Sequence, residues 1–418
     1  MKIVIITCVF EPEPVVSARI AKDLASELAE SGHRVLVVCP FPSRPKGKIF
    51  DGYSRRGWDN VFSDTGFSVL RVLTFVSKSS SFVSRFFENI SFGLSSSIYL
   101  LFVRDKPDVI FLNTWPVFAV FMNTLVARLR GIRVLRSIQD IYPETLSSQK
   151  RVSKKGFLYW LIGIFERYNY KKANANITIS EKMGAVLSDR YPDLESALIV
   201  PNWHSLPTQS KKEFDRSQIE SSLTSDDFVF LYGGNISTAS NIVGLLTEFS
   251  VFSADKENVK LVIAGSGPLL AQCTSLVKEL KLQGRVYFHS PWLSQDTLPI
   301  LECADILVLP TDNEQAIYSV PSKIISYMTS ARPILAYGAP GSELESLIVR
   351  SGCGWFIDGV GNESIQVGFR GAFDSSPQGR LKMGLQGQKF MTENLSKEVN
   401  IPKIVNLLLD IPEGSDYV

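Results

Sequence analysis

Three strand-to-helix junctions hold the residues best suited to chemistry. The first runs from Phe10 to Ser17, just past an apolar run. The second is Tyr232-Gly233-Gly234-Asn235-Ile236-Ser237, and the third is Val320-Pro321-Ser322-Lys323, ahead of Pro333. A helix N-terminus presents N–H groups without intrahelical partners and a partial positive charge, so it suits phosphate. Gly233 and Gly234 would let a ligand approach the backbone, Ser322 is placed to cap a helix, and Lys323 is placed to neutralise a phosphate. Each junction on its own also reads as a plain turn. Two of them facing one cleft would favour an anionic, nucleotide-like ligand. Gly265-Ser266-Gly267 opens like a GxGxxG turn but lacks the third glycine, which makes it a poor nicotinamide site.

The elements that must position these residues alternate along the chain. Residues 3–9 (IVIITCV) form a continuous apolar run, as a strand buried on both faces should. Ser17 is expected to cap a helix whose apolar face is Ala21, Leu24, Ala25 and Leu28; Gly32 ends it and 34–39 is the next strand. Strands at 108–112, 132–138 and 177–180 and a helix at 116–130 follow. Residues 201–227, with Pro201, Pro207 and a polar stretch, read as a connection running into a short helix. A second series then has strands at 228–232, 259–264, 285–288, 306–309 and 333–336, and helices near 241–254, 268–282 and 322–331. The expected division of the 418 residues is 1–205, 206–395 and a tail at 396–418 whose helix, at 401–409, packs back on the first domain. Open parallel sheets hold ligands at the C-terminal ends of their strands. Two such doubly wound domains predict a central cleft between them.

Composition excludes several classes. Hydrophobic residues at 45% and charged residues at 21% exclude a disordered chain. A net charge of +2 argues against a dedicated nucleic-acid binder. The histidines (His33, His204, His289) and cysteines (Cys8, Cys39, Cys273, Cys303, Cys353) are too scattered for a sequence-local zinc site, and no metal is expected. Scattered cysteines in odd number fit a reducing cytoplasm. The opening residues are not expected to act as a signal peptide, because the apolar run is short and Glu11-Pro12-Glu13-Pro14 follows it. No apolar run reaches the length of a membrane span. One segment stands apart electrostatically. Residues 146–172 carry Lys150, Arg151, Lys154, Lys155, Arg167, Lys171 and Lys172 against a single acid, Glu166, for a local net of +6. Between them lies the aromatic-rich stretch 156–165 (GFLYWLIGIF). Bases flanking Trp, Tyr and Phe read as an interfacial segment drawn to anionic lipid, with a core helix and solvated basic face as the alternative. The apolar stretch 82–103 either adds to such a surface or is core.

Taken in order, these pieces resemble a known family. The opening strand, helix and strand, Asp140-Ile141-Tyr142-Pro143-Glu144, 166–180 (ERYNYKKANANITIS), 231–246 (LYGGNISTASNIVGLL), 260–268 (KLVIAGSGP), 304–310 (ADILVLP) and 320–338 (VPSKIISYMTSARPILAYG) are similar to family 4 glycosyltransferases of bacterial surface-polysaccharide synthesis, of O-antigen, capsule or colanic-acid type. The resemblance covers nearly the whole chain. It implies the GT-B fold, an α/β architecture of two Rossmann-like doubly wound domains facing a central cleft. It further implies a nucleotide-sugar donor held mainly by the second domain, an acceptor held by the first, retention of anomeric configuration and no metal. The chain departs from the family at several points. Tyr318 and Ser326 stand where many members carry two glutamates, Asn235 and Ser240 where many carry Arg and Lys on the diphosphate, and Pro14-Val15-Val16 where a glycine pair is usual.

Gly234, Asn235, Ser322 and Lys323 are the candidates for the donor diphosphate, with Arg19 a further cation from the first domain, and the resemblance puts Ser326 at the ribose position. Ser290 and Pro291 would meet the uracil through backbone groups, with His289 either in that wall or in an ordinary turn. Asp140 and Glu144 would orient the acceptor hydroxyl, Asp140 taking its proton, or else would form a helix cap and turn. Asn113 and Trp115 are further acceptor candidates, and Glu166 is a structural partner for nearby bases. The implied reaction moves a sugar, expected to be an N-acetylated hexosamine, from a UDP-sugar to a saccharide on polyprenyl pyrophosphate. The enzyme would be cytoplasmic and peripheral to the inner membrane. A non-catalytic nucleotide-sugar scaffold and a UDP-sugar 2-epimerase are the alternatives.

Overall fold

The computed structural model describes residues 1–53, 59–62, 66–79, 81–113, 117–148, 152–203, 215–290, 296–311, 321–359 and 362–411. The chain divides into two compact units, Met1–Trp203 with Lys397–Val418, and His204–Ser396.

The first unit opens with β1 (Lys2–Thr7), α1 (Val16–Glu30) and β2 (Arg34–Pro40), followed by β3 (Asp59–Phe62), β4 (Ser68–Val72), α2 (Phe82–Phe102), β5 (Val109–Asn113), α3 (Val117–Leu129) and β6 (Arg133–Ile138). α4 (Glu144–Ser148), α5 (Phe157–Lys172), β7 (Ala175–Thr178), α6 (Glu181–Arg190) and β8 (Leu198–Ile199) complete the series. The described strands form one sheet in the order β3-β4-β2-β1-β5-β6-β7-β8. Its pairings are parallel except that of β3 with β4. Ile3, Val4, Ile5 and Ile6 of β1 are fully buried, which is why that strand reads as an unbroken apolar run.

The expected Ser17 cap does not form at the start of α1. The helix begins at Val16 with Val15 in the N-cap position and no side-chain cap, so Ser17 lies inside the first turn. α2 turns its Phe92, Ser96 and Leu100 inward. Phe86 of α2 meets Phe118 of α3 edge-on at 5.4 Å, and Phe118 and Phe121 both meet Phe165 of α5, at 5.2 and 4.6 Å. These rings bind the three helices into one layer. Beneath it Arg136 of β6 and Glu166 of α5 form a buried ion pair at 2.5 Å. Such a pair costs desolvation on both sides and is strongly destabilising to break singly. Glu166 is thereby a structural partner in the interior.

The second unit contains β9 (Phe228–Gly233), α7 (Ile242–Phe252), β10 (Val259–Ala264), α8 (Leu270–Glu279), β11 (Val286–His289), α9 (Thr297–Glu302) and β12 (Ile306–Pro310). α10 (Lys323–Thr329), β13 (Ile334–Gly338), α11 (Glu343–Ser351), β14 (Gly354–Asp358), α12 (Asn362–Phe373) and α13 (Pro377–Asn394) follow. Its described strands form a sheet ordered β11-β10-β9-β12-β13-β14 with parallel pairings. β9 sits at the centre, where the strand order reverses, so its C-terminal end is the topological switch point at which doubly wound sheets hold ligands. The last helix, α14 (Lys397–Asp410), belongs to the first unit: Ile401, Ile404 and Leu408 join the core formed by Ile20, Leu24 and Leu28 of α1.

Candidate functional site

At the end of β9 the backbone turns sharply through Gly234, whose φ is +148°. The Gly234 N–H donates to the Ala264 carbonyl at 2.8 Å and that of Ile236 to the Ser266 carbonyl at 2.9 Å, so this loop lies against the one leaving β10. Gly265 is required there for the same reason: its φ is +146°, and a β-carbon on it would run into the Gly234 carbonyl. The glycines at 265 and 267 therefore serve the packing of two loops, a role the partial GxGxxG pattern did not reveal.

Lys323 opens α10 and its side chain lies across Gly234. A β-carbon at 234 would stand 2.9 Å from both the Cδ and the Nζ of Lys323. The ammonium donates to the Tyr232 hydroxyl and sits 4.5 Å from the centroid of the same ring. Among the described residues no carboxylate pairs with it. Burial alone pulls the lysine down from its ordinary 10.5 to about 8. The Tyr232 hydroxyl in turn donates to the Asn235 carbonyl at 2.7 Å, which also accepts from Ser240 at 2.9 Å. A second phenol, Tyr327 of α10, accepts from the Gly233 N–H at 2.7 Å and donates to its carbonyl at 3.1 Å. Two buried tyrosines thus brace residues 233–235. Neither was given a role from the sequence, because an aromatic residue in an apolar strand or helix reads as core.

Other expected donor residues are placed as follows. Ser322 occupies the N-cap position of α10 but has helical φ and ψ and makes no side-chain cap, which corrects the expectation that it caps the helix. Ser326 is buried within α10. Ser290 is exposed just past β11, and the His289 carbonyl there accepts from the Gly265 N–H at 2.9 Å. Asn235 is exposed. Trp115, Lys150, Arg151, Pro291 and Tyr318 lie outside the described residues.

In the first unit Asp140 stands two residues past β6, half-buried, and loss of solvent pushes its carboxyl up to about 6. A carboxylate with a pKa near neutrality is suited to accept a proton. Glu144 is differently engaged. Its Oε1 accepts from Arg190 at 2.5 Å and from the Tyr159 hydroxyl at 3.3 Å, while Arg190 also donates to the Tyr142 carbonyl at 2.8 Å. Glu144 is thus tied to α6 and fixes the turn that carries Asp140. Asn113, at the end of β5, is buried and donates to the Ser17 carbonyl at 3.3 Å, which holds the start of α1. Arg19 is exposed on α1.

The turn after β1 is braced by Glu13, a buried acid that the sequence reading passed over. It accepts from the N–H groups of Ser43 and Arg44 at 2.9 and 2.8 Å and of Phe10 at 3.3 Å. Arg71 donates to the Glu11 and Pro40 carbonyls at 2.5 and 3.1 Å. Side chains therefore hold this turn.

Residues 17–203 match the glycosyl transferase 4-like domain, and residues 227–359 match the glycosyl transferases group 1 family. The chain belongs to the family 4 glycosyltransferases. It has their GT-B fold of two Rossmann-like domains. It is 22% identical over 264 residues to the probable glycosyltransferase WbjE of Pseudomonas aeruginosa, a match covering 62% of this chain and 64% of that one. It is also 22% identical over 189 residues to the chitobiosyldiphosphodolichol beta-mannosyltransferase of Candida albicans, covering 43% and 41%. The chain thus spans less than two thirds of the length of either relative. Among solved structures, Anabaena HepE in complex with UDP superposes with a TM-score of 0.70 at 13% identity, covering 98% of this chain and 100% of that one.

Proposed function

We propose that this family member is a retaining glycosyltransferase that moves a sugar, an N-acetylated hexosamine, from a UDP-sugar to a lipid-linked saccharide in bacterial surface-polysaccharide synthesis. The observation that carries the donor half is the Lys323 ammonium held across Gly234 at the switch point of the second sheet. A half-buried cation beside a glycine turn suits a diphosphate, whose charge grows as the glycosidic bond to the nucleotide breaks. The complex of HepE with UDP supports uridine as the nucleoside. In this reading Lys323 stabilises the leaving diphosphate, and the acceptor hydroxyl attacks from the same face of the sugar. Its proton passes to the departing phosphate or to Asp140, whose raised pKa matches that task. Catalysis proceeds without a metal.

The acceptor half rests on the surface of the first unit. No helix among the described residues is long and apolar enough to cross a membrane. Yet Val83, Phe87, Leu94, Ile98, Leu101 and Phe102 are exposed on α2, and Phe157, Trp160 and Ile164 on α5. Lys154, Lys155 and Arg167 lie exposed beside them. An apolar, aromatic and basic surface of this kind fits the anionic leaflet that carries polyprenyl-linked saccharides. The relative that by name transfers mannose to a dolichol-linked acceptor supports the same class. A second reading, a nucleotide-sugar-binding scaffold without turnover, is favoured by Ser326, a buried hydroxyl where many members carry an acid.

Calorimetric titration with UDP, UMP and uridine tests the donor half. UDP should bind most tightly and displace UDP-sugars; equal binding of uridine and UDP would remove the diphosphate from the account.

A further inference from the structure

Tyr232 is a residue whose hydroxyl the core does not need. Its ring lies fully buried in an apolar cluster that includes Phe230, Phe249, Phe252 and Phe369. A buried phenol usually finds hydrogen-bond partners, and the two bonds of this one are both made at the donor loop. It donates to the Asn235 carbonyl and accepts from the Lys323 ammonium. The bond to Asn235 is duplicated by Ser240, which donates to the same oxygen. The bond to Lys323 has no such duplicate among the described residues.

We propose that Tyr232 is a positioning residue of the donor site, holding the Lys323 ammonium across Gly234 through a neutral acceptor so that its charge stays available to an anionic ligand. The proposal rests on the donor reading given above. A carboxylate at the same place would grip the lysine more firmly, but it would cancel the charge and repel a diphosphate. A phenol does neither. Burial raises the Tyr232 phenol well above its ordinary value, so it stays neutral across the working pH range. The groups facing this pair are also phenol or thiol: Tyr327 on α10, bonded to Gly233, Tyr337 on β13, and Cys273 on α8, beside Tyr232. All three are raised by burial and uncharged at neutral pH, so they leave the lysine as the titrating group.

The test compares Tyr232→Phe with Ser240→Ala. The first keeps the ring and removes both hydroxyl bonds; the second removes the duplicate bond to Asn235 together with the Ser240 contacts to Ser237, and leaves the Tyr232–Lys323 bond in place. Two quantities are read from about pH 6.5 to 9.5: the titration midpoint of Lys323 in ligand-free protein, by NMR of labelled lysine, and the dissociation constant of UDP. Unfolding temperatures are recorded alongside. Tyr232→Phe should lower the Lys323 midpoint, weaken UDP binding roughly tenfold as expected for one hydrogen bond to a charged group, and move the alkaline loss of affinity to lower pH. Ser240→Ala should leave the midpoint where it is. A midpoint indifferent to Tyr232→Phe, or one shifted equally by Ser240→Ala, would overturn the inference whether or not UDP binds. Failure of the wild type to bind UDP, with a midpoint that still depends on Tyr232, would overturn the donor reading instead and leave the Tyr232–Lys323 coupling intact.

Discussion

Replacing Lys323 with methionine should make the protein more stable and less active at once. The lysine is pulled from 10.5 to about 8 by burial alone. That difference corresponds to a cost on the order of 3 kcal/mol for keeping the ammonium in the folded protein at neutral pH. The sign follows from linkage. Below about pH 8 the folded and unfolded chains both hold the proton, and the folded one bears the whole cost. Between about 8 and 10.5 the folded chain has released the proton while the unfolded chain has not, so the cost fades; above 10.5 it is gone. Methionine fills similar space and carries no charge, so the gain from Lys323→Met should be greatest below pH 8 and vanish above 10.5. Loss of the bond to Tyr232 offsets part of it, leaving on the order of 1–2 kcal/mol, or several degrees in unfolding temperature. Turnover should fall about a hundredfold or more, the range for losing one donor to developing charge. Scanning calorimetry across pH, with steady-state kinetics, checks both. A variant less stable than wild type at pH 7, or one with unchanged turnover, would refute the reasoning.

Gly234→Ala should act through the same lysine: a β-carbon 2.9 Å from its Nζ, at a φ of +148°, displaces it. UDP affinity should drop at least about tenfold, with a loss of stability of about 1 kcal/mol or more; an unaltered dissociation constant would contradict the placement of the diphosphate. Asp140, raised to about 6, should give wild-type turnover an acid limb near that pH, which Asp140→Asn removes along with most of the rate, about a hundredfold; its folded pKa lies above the usual 3.8, so ionisation costs stability at neutral pH and the Asn variant should be no less stable. Persistence of the acid limb in that variant would assign it elsewhere. Flotation with anionic liposomes should retain the wild type at low salt and release much of it at high salt; serine at Phe87, Ile98, Lys154 and Lys155 should weaken retention, and undiminished flotation would return α2 and α5 to ordinary surface.

The alternation of strands and helices was legible because strands buried on both faces read as apolar runs, and β1, β2, β5, β9 and β10 stand within one or two residues of their expected bounds. Other elements were not legible: β3 and β4 at one end of the first sheet, the half-exposed β14 at an edge of the second, and α11–α13. α2 was visible as an apolar stretch, but whether it was core or surface depended on which face met α3. At the candidate site, Gly234 and Lys323 could be named separately because turn glycines and helix-start lysines have distinct uses. Their meeting, 89 positions apart, depends on the sheet order that sets β9 beside β12. The same holds for the pairing of Glu144 with Arg190, which ties to α6 an acid that the sequence left open between orienting a substrate and forming a turn. Glu13 was hidden for a different reason, since its work is to accept backbone N–H groups and leaves no side-chain partner to search for.

Sugar transfer from a UDP-linked donor seated at Gly234 and Lys323 can be observed in the product itself. The measurement that tests it most directly is incubation of purified protein with a panel of UDP-sugars and a polyprenyl-pyrophosphate saccharide, with and without EDTA, followed by mass and anomeric analysis of the lipid product. The lipid product should carry one added hexosamine with the donor's anomeric configuration, formed equally well with the chelator and lost in Lys323→Met. Transfer that survives in Lys323→Met, or that EDTA abolishes and Mg²⁺ or Mn²⁺ restores, would contradict that expectation.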